Sequence, residues 1–409
     1  MDNITIRPVT IAEYPAFVTA LIEGFSDDLP DESFPKMIEE VLPAERTLAA
    51  FDGDTIVGTF GGYDLDLTVP GGTVKMEGTT VVTVFPTHRR MGLMDEMMTL
   101  HLDNAVANGY PVAGLWASSS AIYGRHGYGA ATYATTRTLD GPTFHLRDGI
   151  GMDRVTRISS EQAADRLPPV FDRVCSTTPG MFARDETWWA QEVLRDEEWM
   201  KRGRTSHRIV IHEGPDGADG YVIYRQKQSE SDDGHANGTV SVLEMIAETS
   251  TAKASLWNYI ANIDGCPKVR SWNMPLHDDV LAMVREPRRF AVTALYDALW
   301  IRILDVEAAL SQRTYEDDGT VVFSIVDNYR PQTDGTYRLT VSDGVGECKR
   351  TDEQANLDID IDVLGALYLG GGDAGGYVAA GRLRGSDAEI ATLHAIFSTM
   401  KTPWCNQVF

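Results

Sequence analysis

Alternation of apolar and polar positions at period two, broken by Gly and Asp, dominates the first third of the chain. Ile4-Thr5-Ile6-Arg7 reads as a short strand, and 11–25 repeats its apolar residues at helical spacing. Strands over 48–51 and 55–60 flank Asp52-Gly53-Asp54, and strands over 65–69 and 75–84 flank Pro70-Gly71-Gly72, two hairpin signals. A basic turn, His88-Arg89-Arg90-Met91-Gly92-Leu93, then opens a helix. A strand over 112–116 follows, and 131–139 is expected to complete a mixed α/β sheet.

The same order returns between about 152 and 290: a strand over 155–158, a helix over 163–174, and strands over 207–211, 221–225 and 239–247. In both stretches a Gly/Asp turn leads into an apolar strand, so the second reads as a degenerate internal copy. Where the first has its Arg/Gly turn, the copy has Glu248-Thr249-Ser250-Thr251-Ala252. A structural role is therefore expected for it. From about 300 the pattern changes: an apolar stretch over 301–306 precedes a short helix, with strands over 321–326, 337–341, 346–350 and 357–361 after it. A helix over 363–369 stops at Gly370-Gly371-Gly372, and a last helix over 387–399, N-capped by Ser386, precedes Pro403-Trp404.

Composition narrows the function classes. With 409 residues, 43% hydrophobic and 23% charged, the chain is expected to fold into two or three soluble domains. No apolar run approaches the ~18 residues of a membrane span, and the polar start Met1-Asp2-Asn3 speaks against a signal peptide. The net charge of −24 argues against nucleic acid and favours cationic partners. Cys175, Cys266, Cys348 and Cys405 lie far apart without metal or redox spacing, as reduced thiols of a cytoplasmic protein do.

Candidate chemistry concentrates between Lys75 and Tyr128. A strand, an Arg/Gly turn and a helix start present backbone N–H groups to an anionic phosphate. Gly92 lets the backbone approach closely and Arg90 adds charge-assisted bonds. One strand later comes Ile122-Tyr123-Gly124-Arg125-His126-Gly127-Tyr128. Read alone, either tyrosine is more often core than catalytic, and an Arg pair in a turn is more often solvated. In this order the segments resemble the acetyl-CoA site of the GNAT superfamily of N-acetyltransferases.

The layout of the whole chain resembles one family within it, the Enhanced intracellular survival (Eis) proteins. The motifs that carry the resemblance are Pro86-Thr87-His88-Arg89-Arg90-Met91-Gly92-Leu93, the Tyr123–Tyr128 segment, Trp188-Trp189, and Pro403-Trp404-Cys405 with the terminal Phe409. It implies an α/β (α+β) fold class: a catalytic GNAT domain over 1–148, a degenerate GNAT-like domain over 149–295, and a sterol-carrier-protein-like α+β domain over 296–409. It implies direct acetyl transfer from acetyl-CoA, without a metal, to amines of aminoglycoside antibiotics at more than one position, and a homo-oligomer, commonly a hexamer.

Carried onto this sequence, the resemblance assigns acetyl-CoA to Arg89, Arg90, Met91, Gly92, Leu93, Met94 and Asp95, with Met94 departing from the small residue usual there. The main chain of Val82, Thr83 and Val84 would receive the pantetheine arm, and Ser118 and Ser119 would also contact the cofactor. Tyr123 is implied as general acid, a phenol of pKa about 10 suiting a thiolate leaving group. The terminal carboxylate of Phe409 is implied as general base, with His126 its rival and expected instead in a packing or surface role. Seven carboxylates within 23–40 suit an ammonium-rich substrate, Asp27 and Asp28 being the residues chosen there. The alternatives are acetylation of protein lysines, peptides or polyamines, and, in other classes, a lipid carrier or an inactive scaffold.

Overall fold

Both early turn signals close hairpins. Gly53 (φ 60°) and Gly71 (φ 72°) take the left-handed backbone that favours glycine. They link β2 (Thr47–Asp52), β3 (Thr55–Val69) and β4 (Gly72–Val84), while β1 (Ile4–Pro8) lies antiparallel to β2. Between β1 and β2 run α1 (Tyr14–Gly24) and α2 (Phe34–Val41). Helix α3 (Leu93–Ala107) returns the chain to β5 (Val112–Trp116), parallel to β4, and α4 (Ser120–Tyr123) leads to the short β6 (Gly129–Ala130). The computed structural model describes residues 4–409.

The chain divides into two units, each described by itself: residues up to Thr132, with Ala298–Met400 and Val408–Phe409, form one, and Tyr133–Asp297 with Lys401–Gln407 form the other. The second unit carries β7 (Tyr133–Asp140), β8 (Val155–Ile158), β9 (Arg208–Gly214), β10 (Gly217–Lys227), β11 (Thr239–Ala247), β12 (Lys268–Pro275) and β13 (Ala291–Asp297), with α5 (Ser160–Cys175) and α6 (Ser250–Ala261). The first unit resumes with β14 (Leu299–Ile303).

The sheet order corrects one expectation. Residues 131–139 do not complete the first sheet: β7 sits between β12 and β13 in the second, and β14 fills the corresponding place between β5 and β6. Periodicity identifies a strand but not its partner. Leu299, Ile301 and Ile303 are all buried, and β14 lies antiparallel to β5, far away in sequence. The two sheets then have the same plan, β1-β2-β3-β4-β5-β14-β6 and β8-β9-β10-β11-β12-β7-β13, each taking its sixth strand from the other repeat.

In the first unit, Phe60, Met97, Met98, Leu102, Ala113, Leu115 and Tyr128 form the core under α3. That unit also holds a third sheet of β15 (Gly319–Val326), β16 (Gly335–Ser342), β17 (Val345–Arg350), β18 (Leu357–Asp360) and β19 (Leu383–Gly385), ordered β17-β16-β15-β18-β19. Helices α7 (Ile361–Leu367) and α8 (Asp387–Phe397) accompany it. Among the described residues no helix is long and apolar enough to cross a membrane.

Candidate active site

The parallel ladder between β4 and β5 is short. Only Met76–Gly78 pairs with Val112–Gly114, although β4 runs on to Val84 and β5 to Trp116. Beyond Gly78 the strands part, and a cavity of about 310 Å³ opens along Thr79, Thr80, Val81, Val82, Trp116, Ala117 and Ser118. Tyr123, Phe25, Val408 and Phe409 complete its lining. A bulge in β4 shapes this wall: the register with β3 shifts between Thr59 and Gly61, and Val81 has φ 50°, uncommon for a β-branched residue. The Thr59 hydroxyl donates to the Val81 carbonyl at 2.7 Å and holds the bulge.

Below the splay comes the basic turn. Arg90 (φ 65°) and Gly92 (φ 84°) both adopt left-handed backbone, and a side chain at Gly92 would point into open space. Helix α3 starts there without a side-chain cap, and the first bond back to Gly92 is made by Glu96 N–H at 3.0 Å. The amides of Leu93, Met94 and Asp95 therefore precede the helical ladder. Leu93 is buried in the core, with Met91 and Met94 packed against it. Arg89 and Arg90 are exposed, and Arg89 Nε bonds the Val84 carbonyl at 3.3 Å. An unpaired strand edge running toward an uncapped helix start, with two arginines beside it, fits an extended amide-bearing arm ending in phosphates. Acetyl-CoA has that shape and charge.

Tyr123 is buried at 6% exposure, its ring edge-on to Tyr128 at 6.2 Å. Burial raises its phenol above the usual value and the Ser118 hydroxyl partly opposes this, so Tyr123 stays protonated at neutral pH. Tyr128 lies behind the cavity, fully buried, its hydroxyl 2.9 Å from Thr79 Oγ1. Thr79 also meets His101 Nε2 at 2.9 Å, and Glu77 binds Arg46 at 2.7 Å, a polar network under the cavity floor. Burial lifts the Glu77 carboxyl to about 7 against the pull of Arg46 and lowers His101 to about 3. The Phe409 ring stands edge-on to Tyr63 at 6.3 Å and over Gly78, where an added Cβ would come within 3.1 Å of it.

Of the residues singled out in the sequence, Val82, Ser118, Tyr123 and Phe409 share the cavity, whereas Thr83 and Val84 do not line it. Thr83 turns its hydroxyl to Thr59 at 2.7 Å and its side chain against Gly24. Ser119 is not in the lining either, serving as the residue before α4. Asp27 and Asp28 are exposed and lie outside the lining, Asp27 N–H donating to the Ile22 carbonyl at 3.1 Å and Asp28 N–H to Asp27 Oδ1 at 3.0 Å; Phe25 lines it instead. Thr79, Thr80, Val81 and Trp116 were not anticipated, because a bulge leaves no mark in the alternation that precedes it. His126 is fully buried and outside the lining, so of the packing and surface roles expected for it the structure shows packing. Among the described residues, no group of His, Cys, Asp and Glu is arranged to hold a metal ion.

Known acetyltransferases resemble this chain along its whole length. Residues 5–131 and 180–303 each match an acetyltransferase (GNAT) domain family, and 306–406 match a sterol carrier protein domain family. An uncharacterised N-acetyltransferase of Streptomyces avermitilis is 36% identical across 100% of this chain and 99% of its own. N-acetyltransferase Eis of Mycobacterium tuberculosis is 30% identical across 95% of each chain. The crystal structure of Eis1 from Mycobacterium abscessus superimposes with a TM-score of 0.85 at 28% identity, covering 99% of this chain and 100% of that one. Two GNAT domains, a sterol-carrier-like domain and identity sustained end to end place this chain in the Eis family of GNAT-superfamily N-acetyltransferases.

Proposed function

We propose that this enzyme transfers an acetyl group from acetyl-CoA directly to amines of aminoglycoside antibiotics, at more than one position. The observation that carries the reading is that Tyr123 and Phe409 line one cavity at the open end of the β4–β5 pair. When bound, acetyl-CoA supplies the acetyl group and leaves as the thiol. Arg89, Arg90 and the amides of Gly92–Asp95 hold its phosphates, and the main chain of Thr80–Val82 receives its amide arm. The Phe409 carboxylate takes a proton from the substrate ammonium so that nitrogen can attack, and Tyr123 Oη gives a proton to the departing sulfur. Burial keeps the Tyr123 phenol protonated for that step.

The substrate class rests on the family resemblance and the net charge of −24. A hexamer, the assembly common in the family, belongs to the same proposal and is measured by light scattering. Thiol release from acetyl-CoA with kanamycin, tobramycin, spermidine and a Lys-rich peptide tests the substrate. Turnover on the two aminoglycosides, with mass gains of one or more acetyl groups, is expected. Turnover confined to spermidine or the peptide overturns the substrate and keeps the chemistry.

A further inference from the structure

His126 makes two hydrogen bonds that a neutral imidazole cannot make together. Its Nδ1 lies 2.9 Å from the Ile122 carbonyl oxygen, and its Nε2 lies 2.7 Å from Asp95 Oδ1. A carbonyl and a carboxylate both accept, so both ring nitrogens must carry hydrogen. Either neutral tautomer sets a nitrogen lone pair against oxygen. The ring is fully buried, and the Tyr329 ring closes over it edge-on at 4.7 Å. Tyr329 in turn donates to the Asp95 carbonyl at 3.0 Å and meets Thr99 Oγ1 at 2.8 Å, fixing α3 on the same side.

Both partners of the imidazolium belong to the candidate site. Ile122 immediately precedes Tyr123, and Asp95 stands in the uncapped first turn of α3. A bare carboxylate there would repel the phosphates that this turn is placed to receive. We propose that His126, with hydrogen on both ring nitrogens, is a positioning residue that neutralises Asp95 and ties the Tyr123 turn to the phosphate-binding turn. The inference rests on assigning that turn to acetyl-CoA. The other ionisable groups around the ring are the Tyr329 phenol, Arg125 on its own turn, and the buried Arg302–Asp327 pair, which packs where a side chain on Gly127 would go.

The test is KM for acetyl-CoA and kcat at one neutral pH in the wild type, His126→Gln, Asp95→Asn and the double variant. His126→Gln keeps a donor but not the charge, so KM is expected to rise about fivefold with kcat little changed. Adding Asp95→Asn removes the repelling charge and brings KM back down. A KM unchanged in His126→Gln, or a double variant as weak as His126→Gln, overturns the proposal. Should His126→Gln fail to fold, the ring nitrogen NMR resonances of the wild-type His126 decide: hydrogen on both nitrogens is expected, and a nitrogen carrying a lone pair overturns the proposal. Absence of acetyl-CoA binding in the wild type overturns the assignment of the turn itself.

Discussion

The two acetyltransferase repeats share a strand order and part company at the open end of their parallel strands. In the first, β4 and β5 separate after Gly78, the gap is a cavity, and α3 begins at an uncapped Gly92. In the second, β11 and β12 pair over Thr239–Val242 and Lys268–Ser271 and then also separate. There several polar groups are already matched. Thr249 caps α6 by accepting from Ala252 N–H at 3.1 Å, while its own hydroxyl donates to Asp219. Glu244 is held by Arg184, by the Tyr221 hydroxyl at 2.6 Å and by Asn406 Nδ2 at 2.8 Å. Asn273 donates to the Cys405 carbonyl at 3.1 Å and accepts from Trp404 Nε1 at 3.0 Å. The fold provides a slot between strands, and the chemistry follows from which donors are left without a partner.

The comparison can be broken most forcefully at the chain's end. Adding residues after Phe409 should cut turnover by on the order of 10²-fold or more while acetyl-CoA binding, followed by calorimetry, persists; undiminished turnover removes Phe409 from the reaction. In the second repeat the sharpest change is Glu244→Ala, which leaves the Arg184 guanidinium buried and unmatched and should cost about 3–5 kcal/mol in a urea melt. The corresponding helix starts separate the repeats by ligand. Gly92→Val, forced into left-handed backbone, should raise KM for acetyl-CoA about tenfold, whereas Thr249→Ala should cost about 1 kcal/mol of stability and leave KM alone.

Two buried carboxylates on equivalent strands should respond to pH in opposite senses. Glu77 is raised from 4.5 to about 7, first by burial, so its contribution is present below pH 4.5 and is lost as pH rises through about 7. Glu244 is held below 4.5 by Arg184 and its hydrogen bonds despite its burial, so its contribution is present above 4.5 and lost as pH falls through its depressed value. Melting temperatures of Glu77→Gln and Glu244→Gln across that range should therefore differ from wild type at opposite ends; parallel curves remove the distinction. The smallest effect belongs to Gly78→Ala, whose methyl meets Leu65 and the Phe409 ring, both able to shift, and should lower kcat about threefold through a displaced Phe409.

What could be read in the sequence is what local chemistry dictates. Gly53 and Gly71 mark their hairpins, Arg-x-x-Gly marks the start of α3, and Ser386 caps α8, its hydroxyl accepting from Glu389 N–H. Tyr123 and Phe409 are singled out by the family resemblance, not by local chemistry, and both line one cavity. What could not be read depends on distant pairing. The alternation in 299–303 does not say that its partner is β5, and nothing around Val81 foretells the bulge that moves the cavity wall back to Thr79. Asp27 and Asp28 of the acidic run are exposed and outside the cavity lining, since charge density in a loop carries no information about direction.

The exchange of sixth strands sets a schedule for synthesis on the ribosome. The first sheet has its nucleus of hairpins early, yet β14 emerges only after the whole second repeat has been translated. Until then β5 presents an open edge where Leu299–Ile303 will dock. A nascent chain halted at residue 140 would hold β7 without either of its neighbours, β12 and β13. Neither repeat can therefore be excised or transplanted as a contiguous piece of gene, and any truncation meant to isolate the catalytic half must carry a copy of β14 with it.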